Sequence, residues 1–94
     1  MEVFWCIKGR VQRVGFRRWA VAKATQIGDI SGYVCNAENG DVLIAADGEE
    51  HKIYNFMQAC FKGPLFARVD AIDSNPDLKQ FFPPIEKGVF KVIR

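Results

Sequence analysis

Residues 3–27 read VFWCIKGRVQRVGFRRWAVAKATQI, and two kinds of pattern meet inside them. Val3-Phe4-Trp5-Cys6-Ile7 is short, β-branched and aromatic, and Lys8-Gly9 closes it, which is the signature of a strand. From Phe16 the spacing changes. Phe16, Trp19, Ala20, Ala24 and Ile27 recur every three or four residues, predicting an amphipathic helix that stops at Gly28. Between strand and helix lies a loop containing Gly9, Gly15 and several arginines.

The rest of the chain repeats the alternation. Ile30 to Asn36 is strand-like, Ala37-Glu38-Asn39-Gly40 is a turn, and Asp41 to Ala46 is a strand with Val42, Ile44 and Ala46 on one face. A second helix is expected after Asp47-Gly48-Glu49-Glu50, where acidic residues suit the positive end of the helix dipole. Its apolar stripe is Ile53, Phe56, Met57, Cys60 and Phe61, and Gly63-Pro64 ends it. Arg68 to Ile72 looks like a fourth strand, Ser74 to Pro84 like an irregular loop, and Val89 to Ile93 like a closing strand. The order β-α-β-β-α-β, with a possible extra strand, predicts an α+β ferredoxin-like sandwich: an antiparallel sheet with both helices on one face. With Val3, Trp5 and Ile7 toward the helices, Phe4, Cys6, Tyr33, Cys35 and Leu43 are expected on a face open to solvent.

Size and composition narrow the function. The 94 residues suit one domain, 49% of them are apolar, and the net charge is only +2 from 13 basic and 11 acidic side chains, too little to point to nucleic acid. No stretch reaches the apolar length of a membrane span, and Met1-Glu2 lacks the basic start of a signal peptide, so a cytoplasmic protein is expected. Cys6, Cys35 and Cys60 are an odd number without metal-site spacing, and read as free thiols. His51 is the sole histidine, which leaves little for a histidine-based metal cluster or nucleophile pair. Neither metal nor cofactor is expected.

Chemistry concentrates in Gly9 to Arg17. A strand passing through a short loop into a helix start leaves main-chain N–H groups unpaired, and with the helix dipole these make an anion site. Gly15 allows close backbone approach, and an arginine fork grips two phosphate oxygens at once. The loop lacks the Gly-Lys-Ser/Thr ending of a Walker A sequence. Taken alone, it fits an ordinary tight turn with solvated arginines equally well.

Gly9-Arg10-Val11-Gln12-Arg13-Val14-Gly15-Phe16-Arg17 closely resembles the acylphosphatase signature G-x-V-Q-G-V-x-F-R. Gly32-Tyr33-Val34-Cys35-Asn36 with Gly40 resembles the second signature of that family, and the likeness continues through Gly48-Glu49-Glu50, Gly63-Pro64, Ala67, Val69 and the terminal Phe-x-x-Ile-Arg. It covers essentially the whole chain, residues 1–94, as one acylphosphatase-like domain. The resemblance implies hydrolysis of small acyl phosphates without metal or covalent phosphoenzyme. It implies that Arg17, with the loop residues Arg13, Val14, Gly15 and Phe16, binds the phosphoryl group, and that Asn36 positions the attacking water. A monomer acting on a small molecule is expected, with no membrane or nucleic-acid partner.

One position departs from the family pattern. Arg13 stands where glycine is usual, which costs stability if the backbone there needs positive φ and adds charge at the rim if it does not. Arg10 and Arg18 read as solvated charge, and Gln12 as a residue that holds the loop. Cys35 should point to the sheet face opposite Asn36, His51 is expected at the surface, and nothing brings Asp70 or Asp73 to the loop. Phe56, Phe61, Phe81, Phe82 and Phe90 read as core or loop packing. Ferredoxin-like sandwiches also serve as RNA-binding modules, but the basic-aromatic stretches of such sheets are missing here. A non-catalytic anion- or partner-binding domain, as at the start of larger maturation proteins, is a further alternative, opposed by the presence of Arg17 and Asn36.

Overall fold

Burial alternates along the first strand as its side chains alternate between faces. In β1 (Glu2–Arg10), Trp5 and Ile7 are fully buried on one side, while Phe4 is buried on the other. The computed structural model describes residues 1–93, and the following elements complete it: α1 (Phe16–Ile27), β2 (Ser31–Asn36), β3 (Val42–Asp47), α2 (Glu50–Lys62), β4 (Arg68–Ser74), a 3-10 helix (Pro76–Phe81) and β5 (Phe90–Val92). Arg94, which ends the terminal motif, lies outside the described residues. β1 runs past Lys8-Gly9 to Arg10, its pairing with β4 shifting register between those two residues.

The strands lie in the order β4-β1-β3-β2-β5. β1 pairs antiparallel with β3 and β4, and β2 antiparallel with β3, which is the expected ferredoxin-like arrangement. The sheet is nonetheless mixed. β5 adds to the free edge of β2 in parallel, Gly32 to Val34 pairing with Phe90 to Val92. The segment after β4 carries the chain from one edge of the sheet to the other, where β5 joins β2. Along β2 and β3 one close approach constrains the residue type: a Cβ at Gly32 would run into the carbonyl oxygen of Ala45.

Both helices cover one face, where Trp5, Ile7, Phe16, Ala20, Ala24, Val34, Val42, Ile44, Ile53, Phe56 and Cys60 form the core. Each large aliphatic or aromatic side chain withdrawn there contributes roughly 1.5–3 kcal/mol. Phe56 meets Trp5 at 5.8 Å and Phe90 edge-on at 5.5 Å, so β5 is pinned to α2 across the layer. Phe61, placed in the apolar stripe of α2, is instead 44% exposed near the helix end. No helix among the described residues is long and apolar enough to cross a membrane.

The second face is covered, contrary to the expectation of an open sheet. Phe4, Tyr33 and Cys35 are buried, and Cys6 and Leu43 are half-buried. The cover is the stretch expected to be an irregular loop. Asn75 caps its 3-10 helix, its side-chain oxygen accepting from the Asp77 N–H at 3.0 Å, with Pro76 at the first helical position. Phe82 then stacks on Tyr33 at 6.5 Å and packs against Phe4 at 6.1 Å. The Tyr33 hydroxyl donates to the Pro84 carbonyl at 2.8 Å, and the Gly88 N–H donates to the Ser31 hydroxyl at 2.8 Å. Phe81, by contrast, is 62% exposed.

Candidate active site

Two buried anchors frame the loop between β1 and α1. Val11 and Phe16 are both 1% exposed, and the residues between them bow outward. Gln12 holds this bow from below. Its side-chain amide donates to the carbonyls of Ala37 at 2.7 Å and Asp41 at 2.8 Å, so the loop is tied to the β2–β3 turn. That turn is closed by the Ala37 N–H to the Asp41 carbonyl at 2.8 Å and by Asn39, whose side chain bonds both the main chain and the carboxylate of Asp41.

The loop backbone enters the left-handed region twice, at Arg13 (φ 62°) and at Gly15 (φ 78°). Glycine takes this conformation freely; Arg13 bears a cost of about 1–2 kcal/mol. The glycine of the family pattern is therefore explained, and Arg13 occupies a strained position. Gly15 is the N-cap of α1 and makes no side-chain cap. The first main-chain bond at this end of α1 runs from the Trp19 N–H to the Gly15 carbonyl at 3.0 Å. The amides of Phe16, Arg17 and Arg18 precede it and have no partner within the helix, which leaves them for an anion. No acidic residue occupies the first turn of α1. Arg17 and Arg18 stand there instead, against the helix dipole.

A cavity of about 460 Å³ opens at this helix start. Arg13, Gly15, Phe16, Arg17 and Asn36 line it, so five of the six residues named from the sequence come together. Val14 is not among the lining residues. Asn36 reaches the cavity from the last position of β2, on the same sheet face as the fully buried Val34. Val11, Arg18 and Val92 complete the wall. Arg18, read from the sequence as solvated charge, is exposed but contributes to the cavity. Val92 carried no sequence signal, because only the parallel pairing of β5 with β2 brings it there. No carboxylate is among the lining residues.

The remaining titratable groups lie elsewhere. Cys35 faces the opposite side of the sheet and shares a second cavity of about 710 Å³ with Cys6, Asp41, Leu78 and Phe81. Burial, aided by the thiol's hydrogen bond to Asp41, pushes the Cys6 pKa up to about 11. Burial also raises that of Cys35, against a small opposing pull from Arg17. Both thiols are thus held protonated and poorly nucleophilic. His51 is exposed in the first turn of α2, and Asp70 is engaged by Arg68 at 3.0 Å. Among the described residues no group of three or more His, Cys, Asp or Glu is placed to hold a metal ion.

A model of the acylphosphatase family matches residues 3–82. An acylphosphatase of Nitratidesulfovibrio vulgaris (strain DP4) is 38% identical over 73 residues, covering 78% of this chain and 72% of its own. The crystal structure of acylphosphatase from Bacillus subtilis superposes with a TM-score of 0.80 at 26% identity, over 99% of this chain and 98% of that one. An acylphosphatase structure from Coxiella burnetii gives a TM-score of 0.82 at 26% identity, over 98% and 90% of the two chains. Signature loop, sheet order and these likenesses agree: the chain belongs to the acylphosphatase family.

Proposed function

We propose that the chain hydrolyses the carboxyl–phosphate bond of small acyl phosphates, releasing a carboxylate and inorganic phosphate. One observation carries this reading: Arg17 and Asn36, from separate elements, line a single cavity at an uncapped helix start. Arg17 and the amides from Arg13 to Phe16 and Arg17 hold the phosphoryl oxygens, Val14 contributing through its main chain alone. Phosphoryl transfer asks a protein mainly to position groups and to stabilise spread negative charge, and this donor set does both without a metal or cofactor.

Asn36 is neutral and a poor base, so it orients water through its carbonyl and amide. The water oxygen attacks phosphorus as the bond from phosphorus to the acyl oxygen breaks. The electron pair leaves with the carboxylate, and the water proton passes to a phosphoryl oxygen. A carboxylate is a good enough leaving group that strong general-base help is unnecessary, and no covalent phosphoenzyme forms.

The covered sheet face favours this reading over an RNA-binding module, since Phe4 and Tyr33 lie under Phe82 and are unavailable to stack bases. In the same reading residues 1–94 act as one domain and a monomer in the cytoplasm, on a small-molecule substrate, with neither nucleic acid nor membrane as partner.

The test is hydrolysis of acetyl phosphate in EDTA by the wild type, Arg17→Gln and Asn36→Ala. The wild type should remain active, and each substitution should lower the rate by about 10²–10³, the usual effect of removing an oxyanion donor. Activity abolished by chelator, or surviving both substitutions, overturns the mechanism. A tight complex with single-stranded RNA and no turnover would favour the binding module.

A further inference from the structure

We propose that Arg13, which lines the same cavity as Arg18, reads a second anionic group on the acyl part of the substrate, so that preferred substrates are acyl phosphates of acids carrying a further negative charge. The inference rests on the hydrolytic reading above and specifies its substrate class.

Charge in the cavity exceeds what one phosphoryl group requires. Arg13, Arg17 and Arg18 all line it, together with the unpaired amides of the helix start, and no carboxylate does. Arg17 and those amides suffice for a phosphoryl group. Elsewhere among the described residues, Lys8, Lys52, Arg68 and Lys79 each pair with a carboxylate, whereas Arg10, Lys23, Lys62, Lys87 and Lys91 do not. The cavity is distinguished by three arginines converging on one wall without an acidic neighbour. Among the described residues none of the three cavity arginines is held in an ion pair.

Arg13 also occupies its position against local preference, in the left-handed conformation that glycine would take without strain. Strained residues that cluster at functional sites commonly contribute to ligand binding or mechanism. Its guanidinium projects from the loop, whereas Arg17 and Arg18 belong to the helix, so two anionic groups on one ligand can be held from two elements. A volume of about 460 Å³ lies within the range of small-molecule sites and leaves room beside a phosphoryl group. The matching ligand group presents two oxygens to the guanidinium fork, as a carboxylate or a second phosphate does.

The experiment compares kcat/KM for succinyl phosphate, whose acyl part carries a carboxylate, with that for acetyl phosphate, which has none. Wild type, Arg13→Gln, Arg13→Lys, Arg18→Gln and the distant charge control Lys79→Gln are measured at low and high salt. The wild type should favour succinyl phosphate, and Arg13→Gln should reduce the ratio by about fivefold, the upper range for an exposed ion pair. The loss should fall mainly in KM, lessen with salt, and be partly restored in Arg13→Lys. An unchanged ratio in Arg13→Gln, or an equal drop in Lys79→Gln, overturns the proposal. Turnover of acetyl phosphate by the wild type reports separately on the hydrolytic reading. Calorimetric binding of 3-phosphonopropionate against propylphosphonate reads the second charge without turnover. A preference for the former that Arg13→Gln removes supports the proposal, and equal affinities in the wild type overturn it.

Discussion

The side-chain amide of Gln12 donates to the main-chain carbonyl of Ala37 at 2.7 Å. This bond joins the loop before α1 to the residue following Asn36, so the two halves of the candidate site share one frame. With its second bond, to Asp41 at 2.8 Å, Gln12 spans the mouth of the β2–β3 turn. It lines no part of the cavity, and its effect on activity must pass through geometry.

Replacing Gln12 with Ala removes both bonds, and a stability loss of about 1–3 kcal/mol is expected. A misplaced Asn36 should lower kcat by about tenfold or more. Gln12→Glu should be worse than Ala, because its carboxylate would face two carbonyl oxygens. Urea unfolding midpoints and kcat on acetyl phosphate check this; a Gln12→Glu protein as stable and active as wild type would contradict it.

Arg13→Gly relieves a left-handed residue but gives the unfolded chain more freedom, so a net gain of up to about 1 kcal/mol is expected. Arg13→Val places a β-branched side chain at φ 62° and should cost at least about 1 kcal/mol. The opposite signs are the diagnostic. Thermal or urea unfolding of the two variants measures them.

Phe82→Ala uncovers Phe4 and Tyr33 and should destabilise by about 2 kcal/mol, below the 3–5 of a fully buried phenylalanine. Phe81→Ala, at 62% exposure, should change stability by no more than about 0.5 kcal/mol. Increased binding of a hydrophobic dye by Phe82→Ala alone would show that the back of the sheet has opened. Equal effects of the two substitutions would contradict the covered face.

Asp41 accepts from the Cys6 thiol at 3.1 Å, from Lys8 at 3.2 Å and from Asn39 at 3.0 Å. Burial alone would raise its pKa, but these donors outweigh it and hold the carboxyl below its ordinary value. A depressed folded pKa stabilises the protein above the unfolded value, near pH 4, and the contribution disappears as pH falls through the folded pKa. Asp41→Asn should therefore be less stable than wild type at pH 7, with the gap narrowing below about pH 4. Urea midpoints from pH 7 to pH 3 follow it, and a gap of constant size would contradict the assignment.

Local pattern alone determined much of this protein. The turn of β1 into α1, the Asn-Gly hairpin and the stripe of α2 are written in neighbouring residues, whose periodicity follows from 3.6-residue turns and two-residue pleats. Arg17 and Asn36 were legible as candidates because the signatures that carry them are contiguous. Whether they meet was decided by the strand order, which depends on contacts between distant residues. Tertiary structure alone brought Val92 to the cavity through a parallel pairing, gave Arg13 its positive φ, and laid residues 75–84 over the sheet. That last segment has no period to read: Leu78, Phe81 and Phe82 are interrupted by polar residues and bounded by prolines. Its conformation is set by the apolar surface of Phe4 and Tyr33 beneath it and by the hydroxyl of Tyr33, which are more than 40 residues away in the chain.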